Sequence, residues 1–284
     1  LIYFFIKRKE KKKKMEIDKD FILDTFKNSS ISAKYIKVLI SNKSLEMYQN
    51  AFTSKSLDLK NNYELYEYIG DAVLGNVIVW YFYSVFPQLR CSSEIKILNR
   101  LKIIHASSES FSEIAKQLNF LPRIRASEEE LNDEEKKQHL LEDVFEAFIG
   151  VTKIVLTENF DLPGVGDQIV YNFIFPIFQK KQISFETDDL YDAKTRLKEL
   201  FDNKTDTNPV FVSFGSVNYE EIVNTTTIPH TYSTRLFFKN NKNIKFFGTG
   251  RTKQAREKNA AQQALEYLKN NGYKIEKQFT PFCV

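Results

Sequence analysis

The chain of 284 residues predicts an all-α body followed by a small α+β module of order α-β-β-β-α, and three observations carry that reading. Over residues 16–178, apolar side chains recur at i, i+3 and i+4, as in 63–86, 94–119 and 138–157, with no strand-like alternation. Beyond residue 190 the pattern changes to a helix at about 192–203, alternating segments at about 209–217, 232–240 and 243–249, and a helix at about 252–270. Charge divides along the same line. Residues 21–190 carry 18 basic and 24 acidic side chains, whereas residues 191–284 carry 15 and 9.

In chain order, residues 1–15 form a basic extension, LIYFFI followed by KRKEKKKK, with the first methionine at Met15. It is expected to be a disordered extension or an upstream translation artefact. Its charges follow the apolar stretch, the reverse of a signal peptide, which argues against secretion. The helical body spans 16–178, with breaks at Pro87, Leu121-Pro122 and Pro163-Gly164 and an acidic loop, SEEELNDEE, at 127–135. Residues 179–190 are polar and aperiodic and read as a linker, residues 191–272 as the second module, and residues 273–284 as a tail.

Composition removes several classes of function. With only Cys91 and Cys283 there is no disulfide framework, and a reducing compartment follows, intracellular and cytoplasmic rather than nuclear. The three histidines, His105, His139 and His230, are scattered, which leaves no zinc motif. The longest apolar run is too short to cross a bilayer, so no membrane association is expected. A basic C-terminal third suits a polyanionic partner, and a net-negative body suits carboxylates kept for a cation.

Residues 63–75, YELYEYIGDAVLG, set Glu64, Glu67 and Asp71 at i, i+3 and i+7, on one stripe of a helix. Like charges so spaced weaken an isolated helix, and a bound cation would offset the repulsion. Residues 140–150, LLEDVFEAFIG, place Asp143 and Glu146 at i, i+3 on a second apolar helix. Packed face to face, the two helices would gather four carboxylates in a bundle core. Oxygen-only ligands select a hard cation such as Mg²⁺, a site suited to phosphodiester hydrolysis. Either stretch alone also fits acids that are merely solvated or paired with lysines.

Together the two stretches resemble the ribonuclease III family. YELYEYIGDAVL is similar to its signature, a Glu, a Glu and an Asp around a phenylalanine-leucine-glycine core, and LLEDVFEAFIG to its second acidic motif. EIKILNRLKIIHASSESFSEIAKQLNF resembles the connecting helices and QNAFTSKS the Ala-x-Thr-His-x-Ser segment, so the resemblance covers roughly 40–157. It implies an all-α ribonuclease III catalytic domain in which Glu67, Asp71, Asp143 and Glu146 are the catalytic acids and bind Mg²⁺, with Mn²⁺ able to substitute. Glu64 would shape the dimer interface and active-site valley, Tyr68 would pack into the partner subunit, and Gly70 would allow close helix approach. Leu65 stands where the family usually has Arg, Ser54 where it has His, and Glu142 where it has a small residue. These departures bear on dimer packing and substrate approach and remove no ligand.

Residues 192–268 resemble a double-stranded RNA-binding domain, the usual companion of that catalytic domain, which reads A-form duplexes by shape. GTGRTKQAREKNAAQQAL matches the end of its last strand and its final helix, with Arg251, Lys253, Arg256 and Lys258 clustered at the helix N-terminus, where phosphate is favoured. His230, in TIPHT, matches the histidine of the minor-groove loop, although Thr227-Ile228 replaces Gly-Pro. Lys198 and Glu199 fall at the first helix's minor-groove positions, Lys198 replacing a common Gln. Gln254 and Glu257 replace two usual basic residues, which implies a shallower salt dependence.

Taken together, the resemblances imply a homodimeric, Mg²⁺-dependent endoribonuclease of double-stranded RNA that leaves 5′-phosphate and 3′-hydroxyl ends with a short 3′ overhang. The rival expectation is a non-catalytic duplex-RNA-binding protein, ribosome-associated or RNA-sequestering, although such relatives usually lose signature acids and all four stand here.

Overall fold

The computed structural model describes residues 16–202, 208–224, 231–250 and 252–275. The basic extension, the 276–284 part of the tail, His230 and Arg251 lie outside the described residues. The chain divides into two compact units, with the boundary between Gln182 and Ile183.

The first unit is helical: α1 (Lys19–Phe26), α2 (Ala33–Leu39), α3 (Asn42–Ala51), α4 (Glu64–Val85), α5 (Ile95–His105), α6 (Ser108–Gln117), α7 (Glu128–Asn132), α8 (Glu134–Phe160) and α9 (Pro163–Gln179). Local chemistry sets the ends. Asp18, Ser41, Ser107, Ser127 and Asp133 accept hydrogen bonds from the first free N–H groups of α1, α3, α6, α7 and α8. The 94–119 segment is thus two helices, because Ser107 caps a new one. Asp161, at φ 49°, ends α8, and Pro163 opens α9 rather than only ending its predecessor. Among the described residues no helix is long and apolar enough to cross a membrane.

Aromatic side chains fill the centre. The Phe148 ring lies 5.4 Å from Phe26, 5.0 Å from Tyr48 and 5.2 Å from Phe120, centroid to centroid. The Tyr48 hydroxyl is buried 2.9 Å from Thr152 Oγ1, which itself donates to the Phe148 carbonyl at 2.8 Å. A phenol carried into the core therefore keeps its partner.

The two longest helices, α4 and α8, cross at glycine. A methyl group at Gly70 would stand 1.8 Å from the Glu146 carbonyl oxygen, and one at Gly150 would stand 2.0 Å from that of Tyr66. Backbones this close admit no Cβ. Residue numbers rise along α4 as they fall along α8, so the signature stretch and the second acidic stretch meet at the crossing.

The second unit holds α10 (Thr187–Leu190), α11 (Ala193–Asp202), α12 (Pro209–Phe214), β1 (Val217–Asn224), β2 (Thr231–Phe238), β3 (Lys245–Gly248) and α13 (Lys253–Asn270). The strands form one antiparallel sheet in the order β1-β2-β3, with Val217 opposite Phe238 and Leu236 opposite Phe246. Leu236 and Phe238 point into a core with Leu197, Phe201, Phe214 and the α13 residues Ala260, Ala261, Ala264 and Leu265. Two expectations change here. The alternating segment expected at 209–217 is the helix α12, because Asn208 caps it, Pro209 suits its first turn and Gly215, at φ 75°, ends it; the first strand starts only at Val217. The linker expected over 179–190 carries α10, where Asp188 pairs with Arg196 at 2.6 Å.

Gly70→Ala and Gly150→Ala are expected to lower thermal stability by about 1–3 kcal/mol or more through overpacking, whereas Gly164→Ala, which meets nothing within 4 Å, is neutral or mildly stabilising. Calorimetric unfolding of the three variants checks this, and an unchanged midpoint for Gly70→Ala would contradict the close crossing.

Candidate active site

The crossing brings α4 and α8 together with their acids on the same side. Glu67 and Asp71 follow one another by a helical turn on α4, and Asp143 and Glu146 do so on α8. Neighbouring charges add to burial at Glu67 and Glu146. Burial and then the charges of Asp143, Glu64, Glu142 and Asp71 push the Glu67 carboxyl up to about 7. Glu146, 8% exposed, is pushed up to about 9 by burial and by Asp71, Glu142, Glu67 and Asp143. Asp143 rises to about 6 because burial and the Glu142 charge outweigh a hydrogen bond from the Tyr63 phenol and the nearby His139.

The four sequence-predicted acids thus share one electrostatic environment, with Glu142 as a fifth contributor. Among the described residues, however, no three His, Cys, Asp or Glu side chains stand at the spacing that would hold a metal ion. The donor chemistry still fits a hard divalent cation, since every group is a carboxylate and each raises its neighbours' affinity for positive charge. Glu67, Asp71, Asp143 and Glu146 would hold it.

Around the acids the sequence reading missed three residues. Tyr63, the residue before α4, donates its phenol O–H to Asp143, and burial together with the acids' charges holds that phenol protonated well above its usual range. Its signal was a hydroxyl-bearing ring one turn before Glu67. Glu130, inside the stretch read only as an acidic loop, accepts from Ser54 Oγ at 2.7 Å, Ser56 Oγ at 2.5 Å, Ser127 Oγ at 2.7 Å and Ser127 N at 2.8 Å. Despite some burial, these bonds draw its carboxyl down to about 2. The capping-box spacing from Ser127 to Glu130 was the legible clue. Ser54, at the position where histidine is usual, therefore anchors its loop through Glu130. Gly150 was the third omission, the partner of Gly70 in the crossing.

The other predicted residues sit as follows. Glu64 pairs with Lys55 at 2.8 Å, and Tyr68 is 80% exposed beside Leu65 at 66%. In the second unit, Lys198 and Lys258 line one surface groove of about 580 Å³ with Lys194, Thr195, Thr252 and Gln254. Lys253 is exposed at the start of α13 and Glu199 is half-buried on α11. Arg256 departs from the expected phosphate role. It is 5% exposed, bonded to Glu221 and to the Gly250 carbonyl, with its guanidinium 5.4 Å from the Tyr232 ring, so its charge is spent inside the unit. Glu257 turns inward likewise, 2.5 Å from Lys194.

The sequence is similar to known proteins over the span that holds these acids. The family described as Ribonuclease III domain matches residues 64–155, a span that contains all four acids. The chain is 36% identical to the protein named "Putative ribonuclease 3" of Frog virus 3 (isolate Goorha) over 86% of its own length and 61% of that protein's, so it spans less than two thirds of that relative. A protein of the same name from Invertebrate iridescent virus 6 is 32% identical over 84% of this chain and 82% of its own length. Ribonuclease 3 of Lactobacillus acidophilus is 30% identical over 83% of this chain and 98% of its own length. Among solved structures, the nuclease domain of ribonuclease III from Campylobacter jejuni aligns with a TM-score of 0.43 at 24% identity, covering 58% of this chain and 97% of that one. With relatives at this identity matched over most of their length, and with the signature acids gathered on two crossing helices, the chain belongs to the ribonuclease III family.

Proposed function

We propose that the protein is an endoribonuclease that hydrolyses double-stranded RNA as a Mg²⁺-dependent homodimer, leaving 5′-phosphate and 3′-hydroxyl ends with a short 3′ overhang. The single observation that carries the reading is the elevation of Glu67, Asp143 and Glu146 at the glycine crossing, by burial first and by neighbouring carboxylates second. Helices that gather uncompensated carboxylates in a half-buried site serve charge binding rather than stability. A bound divalent cation supplies an activated water and neutralises charge developing on the phosphate. The chain's own part is to hold the carboxylates. Tyr63 fixes Asp143 by hydrogen bond, and the Glu130 cluster pins the loop before α4, where Tyr63 N donates to the Thr53 carbonyl at 3.0 Å.

Supporting the dimer, Leu65 and Tyr68 leave large apolar surface exposed on α4, and Leu59 in the loop before it is 80% exposed as well. A second copy related by a two-fold axis would cover it and set two acid sites to cut both strands. The second unit, read as a double-stranded RNA-binding domain, offers Lys198, Lys253 and Lys258 to phosphates, with His230 and Arg251 proposed as further contacts on family grounds. Its role is affinity and register.

Incubation with a long RNA duplex and Mg²⁺ is expected to give short duplexes with staggered ends, and binding without cleavage would favour the RNA-binding rival. Glu146→Gln is expected to lower cleavage at least about 100-fold, the upper end for second-shell losses around a metal, with duplex binding retained; parental rates would remove Glu146 from the site. Truncation after Gln182 is expected to weaken duplex binding at least about tenfold while sedimentation still reports a dimer.

With divalent ions chelated, the folded state holds the Glu146 proton up to about 9, against an ordinary value of 4.5. The stability this provides is complete below the ordinary value and is lost as pH rises through about 9. Between pH 7 and 9.5, Glu146→Gln should therefore gain thermal stability relative to the parent. A constant difference across that range would contradict the raised carboxyl.

A further inference from the structure

Helix α5 stands apart in a body that is otherwise net acidic. Residues 95–105 carry Lys96, Arg100 and Lys102 and no acid. The helix packs against α4, and the Lys102 side chain lies against that helix beside Gly75. A methyl group at Gly75 would stand 3.4 Å from both Cε and Nζ of Lys102, so the ammonium lies directly on the surface of α4 there. Glu67, Asp71 and Gly75 follow at four-residue steps and share one stripe of the helix. The Lys102 head is thereby held about one turn beyond Asp71. Among the described residues it forms no ion pair with any carboxylate.

We propose that Lys102 is a substrate-contacting residue of this site, its ammonium taking a non-bridging phosphate oxygen of the RNA strand beside the phosphate to be cut. The inference rests on the nuclease reading above and adds a residue to it. Four carboxylates, even with one divalent ion between them, present a surface that repels neighbouring phosphates of the same strand. A cation one turn away offsets that repulsion where the strand must lie. Gly75 is not itself required by this contact, since a methyl group there would meet the Lys102 head at ordinary van der Waals distance. Lys55, by contrast, is committed to Glu64, and Lys153 to Asp167.

The test uses the full-length protein, its Lys102→Met and its Lys102→Arg variants. Duplex-RNA affinity is measured in Ca²⁺ across a salt series, and single-turnover cleavage is measured in Mg²⁺. Lys102→Met should flatten the slope of log affinity against log salt by about 0.9 per chain, and should slow the cleavage step at least about tenfold with a smaller change in half-saturating RNA. Lys102→Arg should restore most of both, and the unfolding midpoint should match the parent's. An unchanged salt slope in Lys102→Met would overturn the assignment, as would a loss of activity matched by a loss of folded stability. A parent that binds without cutting would defeat the nuclease reading, and the salt slope would still decide for or against the phosphate contact.

Discussion

Everything at the candidate site depends on the contact of two helix backbones at Gly70 and Gly150. Side chains that reach toward one another across an ordinary interhelical distance of 8–10 Å would leave the carboxylates of α4 and α8 in separate solvent shells. With no Cβ at the crossing, the helices approach until a carbonyl of each occupies the other's missing side-chain position. Glu67 and Asp71 then come under the field of Asp143 and Glu146, and Glu146 loses most of its water. The raised carboxyls follow from that proximity and are not properties of either helix alone. Phe148 lies two residues from Gly150, within the ring cluster of Phe26, Tyr48 and Phe120, so burial of aromatic surface next to the crossing opposes the repulsion that the acids create.

This division of labour explains what could be read before any coordinates. The four acids were legible because a helix imposes a fixed stripe, and Glu67 with Asp71, or Asp143 with Glu146, falls on one side whatever the tertiary fold. Gly70 was legible as a packing glycine within the signature. Gly150 was not, because a glycine at the end of a motif reads equally well as a helix stop. Tyr63 and Glu130 act through partners distant in sequence: Asp143 is 80 residues after Tyr63, and Ser54 is 76 residues before Glu130. No periodicity encodes such pairs. Only the capping-box spacing gave Glu130 a local signal, and it had been absorbed into the charge of its loop.

In the second unit the errors have a different origin. Alternation of apolar residues over 209–217 suits a strand as well as a short amphipathic turn, and the outcome was decided by Asn208, Pro209 and Gly215, which together start and end a helix within six residues. Arg256 shows the converse problem. A basic residue in a cluster at a helix N-terminus reads as phosphate-binding, yet Glu221 on β1 lies across from it, and an arginine buried with a carboxylate is worth more to the fold than to a ligand. Glu257 beside Lys194 follows the same logic. The exposed cationic set is consequently smaller than the count of Lys and Arg suggested, and Lys198 and Lys258 on their shared groove form its core.

That reduced set limits what the basic unit can do for the acidic one. At physiological ionic strength an exposed charge is screened over about 8 Å, so lysines on α11 and α13 attract duplex only where they touch it. On the nuclease reading, counter-charge to the strand at the acids comes from a divalent cation and from side chains that face the strand close by. On that reading the acid-free helix α5, packed on α4, is the part of the fold placed to provide such a side chain. The body's net negative charge is then compatible with a nucleic-acid substrate, because the excess acid serves the cation while recognition of the strand rests on a few cations placed within one helical turn of it.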